Sequence, residues 1–166
     1  MLLSFGLTLH RLTGALCIFL LTGLAFTEVA VVLLRYIYGI GFLQLQDFAA
    51  YCFAALVVLG IPYALGRDAH VRVDVLRESQ SPAARRRVDM AGVLLFLIPV
   101  FSLTLYHVWP DIQYAWQIQE GSKETGGLPG LFLVKTCLPV SCVLMLIQGV
   151  TILARKGEFL TTETAQ

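Results

Sequence analysis

The chain has 166 residues, of which 57% are hydrophobic and only 14% are charged, and its mean hydropathy is +0.76. A soluble domain of this size cannot expose that much apolar surface to water, so the composition indicates a protein that is dissolved in lipid. The formal net charge is +1, from 12 Lys and Arg against 11 Asp and Glu. That balance gives no reason to expect nucleic acid or a strongly acidic molecule as a partner.

Four apolar stretches are long enough to cross the hydrocarbon core of a bilayer, which needs about 20 residues of helix. They are residues 12–34, 48–66, 90–108 and 132–154. Helices are required because unpaired backbone groups are costly in hydrocarbon, and the alternating pattern of a membrane barrel is absent from the sequence. We therefore predict an all-α integral membrane protein, with residues 1–166 forming a single membrane domain.

The distribution of basic residues predicts the orientation of the spans, because Lys and Arg are held on the cytoplasmic side during insertion. Nine flank the spans on one side, namely Arg11, Arg67, Arg72, Arg77, Arg85, Arg86, Arg87, Arg155 and Lys156. Only three lie on the other side: Arg35, Lys123 and Lys135. We predict a multi-pass protein of a bacterial inner membrane, with both termini and loop 67–89 in the cytoplasm and connections 35–47 and 109–131 in the periplasm.

The first span carries one acidic residue, Glu28, and ends near Arg35. A carboxylate in a span is costly, and it indicates either a contact with a neighbouring helix or subunit or a proton or ion site. Alternatively, Glu28 lies near the outer interface and reaches water. Arg35 follows on the same face, but seven residues of helix separate the two by about 10 Å, which is too far for direct contact. Asp47 then enters the second span.

The basic loop 67–89 begins with a patterned segment in which His70, Arg72 and Asp74 alternate with valines. It is either a solvated loop or a surface segment that docks on a partner. A single His makes a poor metal site, and no nucleophile accompanies it as a triad would require. The run formed by Arg85, Arg86 and Arg87 precedes the third span, and we interpret it as a topology determinant attracted to anionic head groups.

The second outer connection is predicted to begin as a helical continuation, since Trp109, Ile112 and Trp116 form an apolar stripe at helical spacing. We interpret the two tryptophans as anchors in the interfacial aromatic belt. Lys135 lies one turn inside the fourth span, where it either extends its amine outward to water or contacts a partner. Pro99 and Pro139 each remove a backbone donor inside a span, so we expect kinks there.

A transporter that works alone usually shows broken helices in repeated halves and several polar groups at the midplane of the membrane. These four spans have neither feature. The sequence therefore predicts a chain that serves a larger partner.

The residues resemble a known family, the small membrane (DctQ-type) subunit of tripartite ATP-independent periplasmic (TRAP) transporters. The resemblance rests on the Arg35-Tyr36 pair, on His70 and Asp74 in the order of the family's signature, on the basic inner loop, and on the stretch from Ser122 to Pro139. The chain departs from the family where the second span begins, because Leu45, Gln46 and Asp47 stand where the family often has a Trp and acidic residues.

The resemblance implies an accessory role. In such systems a periplasmic binding protein delivers an organic anion, a large permease subunit holds the substrate and sodium sites, and sodium import drives uptake. The large subunit works as an elevator and the small one braces its stationary part, so this chain would need no cofactor or metal of its own. The candidate contacts with a partner subunit are Glu28, Arg35, Asp47, His70, Arg72, Asp74 and Lys135.

Two other classes of function stay open. A four-helix membrane oxidoreductase would need paired outer cysteines for thiol oxidation or facing histidines for haem, but the outer connections have no Cys and His107 lies alone in the third span. The other is a membrane tether unrelated to transport. The substrate, the stoichiometry and the helix that faces the partner are not readable from the sequence.

Overall fold

The computed structural model describes residues 2–66 and 81–154. The helices are α1 (Leu2–Tyr38), α2 (Leu43–Gly66), α3 (Pro82–Gly92), a π-helical turn (Val93–Leu97), α4 (Ile98–Gln117) and α5 (Leu131–Ala154). These residues contain no strand, and four of their helical stretches are long and apolar enough to span a membrane: Thr8–Tyr38, Leu43–Leu65, Arg86–Gln117 and Leu131–Leu153. The predicted all-α fold with four spans is confirmed. The side of the membrane on which the termini lie stays a prediction.

The helices extend beyond the apolar stretches from which the spans were predicted. α1 continues through Arg35 to Tyr38 and α2 begins at Leu43, so the connection predicted at 35–47 is only residues 39–42. Gly39 ends α1 in the left-handed conformation, with φ of +67°. The backbone hydrogen bonds of a helix continue beyond its apolar residues into the polar interface of the membrane. A count of apolar residues therefore underestimates the length of the helix. Likewise, α4 runs to Gln117, as the predicted continuation of the third span requires.

The third span begins earlier than predicted because residues 82–89 of the basic loop are helical. Ser81 caps α3 by accepting a hydrogen bond from the backbone N–H of Ala84 at 3.3 Å. Pro82 follows at the first helical position, where its missing N–H costs nothing. Two local signals therefore start this helix in a segment whose charges had suggested a loop.

α2 and α5 lie at the centre of the fold, and α1 and α4 lie outside them. α1 packs along α2, α2 packs along α5, and α4 packs on α5 together with the π-helical turn. In the apolar stretches of the second and fourth spans, 33% and 44% of the residues are buried within the chain. In those of the first and third spans, only 11% and 6% of the residues are buried. The two outer helices therefore leave most of their apolar surface for lipid or for another protein.

Glycines let the helices approach each other closely at two places. A Cβ on Gly14 of α1 would lie 2.6 Å from the ring of Tyr63 of α2, the residue on which His10 stacks with ring centroids 4.8 Å apart. A Cβ on Gly149 of α5 would lie 2.8 Å from the side chain of Leu97 in the π-helical turn. Small residues at such contacts are typical of membrane helices, where close packing replaces the hydrophobic effect.

The π-helical turn directly precedes Pro99, where a kink was expected. Proline cannot donate to the carbonyl one turn back, and its ring crowds that carbonyl. A single turn with the wider π spacing relieves this conflict without breaking the helix. The π-helical turn packs against Gly149 of α5, and the missing side chain of that glycine leaves room for Leu97.

A hydrogen bond between α5 and α2 repairs a second backbone defect. Pro62 lies inside α2 and has no N–H, so the carbonyl of Val58, four residues earlier, has no donor within its own helix. The hydroxyl of Ser141 in α5 donates to this carbonyl at 2.7 Å. Ser141 is 1% exposed, and Pro62 is also fully buried, so water cannot replace the bond. The sequence analysis identified Pro99 and Pro139 within the spans, but neither Pro62 nor the donor that serves Val58.

We predict that Ser141→Ala lowers the free energy of unfolding by about 1 kcal/mol, because it leaves a buried carbonyl without a donor. In a Pro62→Ala background the same change should cost less than half as much, since the substituted residue has a backbone N–H that serves the carbonyl of Val58. Unfolding in mixed micelles as the fraction of denaturing detergent rises measures both values. Thr22→Ala is the matched control, because the exposed hydroxyl of Thr22 donates only to Ile18 of its own helix. Equal losses in the two backgrounds would contradict this account.

Candidate functional site

Three side chains of α2 form hydrogen bonds with the connection between α4 and α5, and we call these three bonds the loop clasp. The carboxylate of Asp47 accepts from the backbone N–H of Leu128 at 2.8 Å, and the hydroxyl of Tyr51 donates to the carbonyl of Leu128 at 2.9 Å. The amide of Gln44 donates to the carbonyl of Gly126 at 2.8 Å. All three side chains lie in the first turns of α2, so this helix holds the connection between α4 and α5.

Glycines shape the segment that the clasp holds. Gly126 and Gly130 have φ of +82° and +104°, a region that side chains rarely adopt. A Cβ on Gly127 would collide with the carboxylate of Asp47 and the side chain of Ser122. The backbone N–H of Ser122 donates to the carbonyl of Leu128 at 3.0 Å and closes the segment on itself. The result is a compact, hydrogen-bonded loop rather than an extended one.

A second set of contacts ties the same loop to the start of α5. Lys135 forms an ion pair with Glu120, with Nζ 2.5 Å from Oε2 and side chains that are 39% and 20% exposed. Trp116 packs edge-on against Phe132, with ring centroids 4.7 Å apart, and its indole N–H donates to the hydroxyl of Thr136 at 3.0 Å. The end of α4 and the start of α5 are therefore held together by both charge and aromatic contact.

These contacts give two of the predicted partner-contact residues a partner inside the chain. Asp47 accepts a hydrogen bond in the loop clasp, and Lys135 forms an ion pair with Glu120. A role for either residue at an interface between subunits stays a prediction. The internal contacts already explain why an acid stands near the start of the second span and a base near the start of the fourth.

Glu28 and Arg35 differ from that pair because both side chains are exposed. Among the described residues, 2–66 and 81–154, no side chain forms an ion pair or a hydrogen bond with either of them. The large apolar neighbours of Glu28 are exposed too, with Phe26 74% and Val29 57% exposed. α1 thus presents a carboxylate on an otherwise apolar surface.

The remaining predicted residues lie in several places. His70, Arg72 and Asp74 fall outside the described residues. Arg85, Arg86 and Arg87 lie in α3, where Arg86 and Arg87 are exposed. Trp109 lies in α4 and is 53% exposed, and Trp116 is 44% exposed despite its contact with Phe132. Their interpretation as head-group and belt contacts stays a prediction.

An apolar groove of about 910 Å³ lies between α4 and α5 in the described part of the chain. Its lining includes Tyr106, His107 and Trp109 on one side and Pro139 and Val143 on the other, with no Lys, Arg, Asp or Glu. An organic anion is usually bound by cationic groups that converge on it, and this groove offers no Lys or Arg for that role. The lining suits an acyl chain or an apolar helix surface.

No group of His, Cys, Asp and Glu side chains in residues 2–66 and 81–154 is arranged to hold a metal ion. The four cysteines are free, and Cys17, Cys52 and Cys142 are buried among apolar neighbours. They behave as small hydrophobic residues in the packing between helices.

Sequence inspection missed most members of the loop clasp and the partner of Lys135. Gln44, Tyr51 and Glu120 bond to residues that are 82, 77 and 15 positions away along the chain. The paired glycines at 126 and 127 were a usable signal, because they indicate a backbone that passes close to another element. The sequence did not indicate which element that is.

A comparison with known protein families gives a match that covers most of the chain. A family model described as "Tripartite ATP-independent periplasmic transporters, DctQ component" matches residues 24–157. The match begins within α1 and includes the second, third and fourth spans and the loop clasp. Neither a curated protein sequence nor a solved structure matches the chain.

We predict that Asp47→Ala opens the loop clasp and accelerates hydrogen exchange at the backbone amide of Leu128 by about tenfold or more, since hydrogen bonds to charged groups contribute about 1.5–3 kcal/mol. Hydrogen–deuterium exchange of the segment 121–130, followed by mass spectrometry in detergent, measures the change. Asp47→Asn should give a smaller increase, because it keeps an acceptor oxygen. Gln46→Ala, a change at the exposed neighbouring side chain, is the control. Unchanged exchange in Asp47→Ala would refute the role of the clasp.

Proposed function

This chain belongs to the family of the DctQ component of tripartite ATP-independent periplasmic transporters, and on that premise we propose that it braces the large permease subunit of such a transporter. The family is one of transporter components and not of enzymes, and its members are the small subunits of complexes with a large permease and a periplasmic binding protein. The chain is accordingly a multi-pass membrane protein of a transport complex.

The proposal rests on the difference in burial between the two central helices and the two outer helices. α2 and α5 are held together by close packing and by the bond from Ser141 to Val58. α1 and α4 leave most of their apolar surface uncovered by the chain itself. A wall of this kind can enlarge the static part of a transporter, and a wider static part resists tilting and bilayer deformation while a mobile domain moves.

The chemistry of transport then belongs to the other subunits. The apolar groove between α4 and α5 has no charged lining, and no group of His, Cys, Asp and Glu side chains among the described residues could hold a metal ion. We assign the substrate site and the sodium sites to the large subunit, and delivery of an organic anion to the periplasmic binding protein. The chain itself is proposed to carry no cofactor.

The proposed orientation follows the basic residues. With loop 67–89 and both termini in the cytoplasm, the loop clasp lies on the periplasmic side of a bacterial inner membrane. Arg85, Arg86 and Arg87 then meet the anionic head groups of the inner leaflet, and Trp109 and Trp116 lie near the outer one. The predicted contacts at His70, Arg72 and Asp74 belong to the cytoplasmic side.

We predict that the chain, extracted from its native membrane in mild detergent, elutes with a larger polytopic protein at a fixed ratio. Cells that keep the large subunit and the binding protein but lack this chain should lose most sodium-driven uptake, because the static wall is then incomplete. Size-exclusion chromatography with mass spectrometry, and uptake of a labelled organic anion, measure the two outcomes. Asp47→Ala and Gln46→Ala serve as a matched pair for the contribution of the loop clasp. A monomer without a partner, or full uptake in its absence, would show that the proposed function is wrong.

A further inference from the structure

One side of α1 combines exposure with charge. Leu21, Glu28 and Arg35 recur at intervals of seven residues, about two helical turns, and Val32 lies one turn from Glu28 on the same side. All four side chains are exposed, and Leu21 and Val32 are 54% and 59% exposed. We call these four residues the Glu28 face. Gly14, seven residues before Leu21, is buried against Tyr63 of α2, so this line of α1 is covered near its N-terminus and exposed from Leu21 onward.

The depth of Glu28 makes its exposure costly. It lies six residues before Leu34, the last residue of the apolar run, which places it about 9 Å inside the hydrocarbon when the helix stands upright. A charged carboxylate at that depth is rare and usually pairs with another group. Within residues 2–66 and 81–154 nothing pairs with it, and Arg35 is about 10 Å away along the axis.

The other outer helix provides the contrast. The exposed side of the third span includes Leu94, Phe96, Val100 and Leu103, between 53% and 70% exposed. Residues 93–108 include no Asp, Glu, Lys or Arg, so this surface carries no acidic side chain that needs a cationic partner. The two outer helices are similarly exposed, but only α1 carries an acidic side chain within its apolar stretch.

We propose that the Glu28 face is the surface on which the large permease subunit docks, with a Lys or Arg side chain of that subunit against the Glu28 carboxylate. This inference rests on the proposed function and adds to it the interface and its chemistry. A second copy of the chain is a poor occupant, because a symmetric contact through this face would bring two Glu28 carboxylates together. Lipid alone leaves the carboxylate unpaired. Arg35, on the same face near the end of α1, supplies an opposite charge that fixes the register of the docked helix.

The location is tested by crosslinking in the complex of the chain with its large subunit. A photoreactive amino acid replaces Leu21 or Val32 on the Glu28 face, and Phe96 or Leu103 on the third span. The first two positions should yield adducts with the large subunit, and the second two should yield adducts with lipid only. Adducts with the large subunit mainly from positions 96 and 103, or a covalent dimer of this chain from positions 21 and 32, would overturn the inference. If the unmodified chain does not co-purify with a large subunit, the proposed function itself fails.

The charge is tested by Glu28→Lys and Glu28→Gln, with the amount of co-purified large subunit normalised to the inserted chain. Reversal of a charge that faces a cation should reduce the co-purified fraction by at least about tenfold, and loss of the charge by about threefold. Leu103→Lys is the matched control, since it places a cation on the exposed side of the third span, and it should leave the normalised fraction unchanged. A wild-type fraction in Glu28→Lys, or the same loss in Leu103→Lys, would contradict the pairing.

Discussion

The structure depends on the requirement that every backbone polar group in hydrocarbon find its partner inside the protein. The requirement forces all four spans to be helical, and it is strictest at Pro62, where the carbonyl of Val58 loses its helical donor. Ser141 supplies the missing donor from α5. A local defect in one helix thereby becomes a bond between the two central helices, and lipid offers no substitute for it.

The rest of the architecture follows from that central pair. α1 and α4 pack on either side of it, and the loop clasp joins the start of α2 to the connection between α4 and α5 through Asp47, Tyr51 and Gln44. These three polar side chains are thus bonded within the chain itself. Glu28 and Arg35 differ from them, since they are exposed on α1 with no partner among the described residues. A rigid helical subunit with charged side chains on one face has the features that a bracing subunit needs for a specific contact with its partner.

The hydropathy of the sequence was enough to predict the four spans and the all-α fold, because burial in lipid depends on composition within each segment. The limits of the helices were less predictable: the cap at Ser81 and the extension of α1 to Tyr38 depend on hydrogen bonds outside the apolar runs. Partners were least predictable. Asp47 and Lys135 were recognised as significant, but their contacts with Leu128 and Glu120 arise only when the connections fold together.

The central claim is that this chain supports transport without carrying it out. The most direct test is to reconstitute the purified chain by itself in sealed vesicles and to measure the flux of sodium and of labelled organic anions under an imposed sodium gradient. The account predicts flux equal to that of protein-free vesicles, with uptake restored only when the large subunit and the binding protein are added. Solute or ion movement catalysed by the chain alone would contradict it.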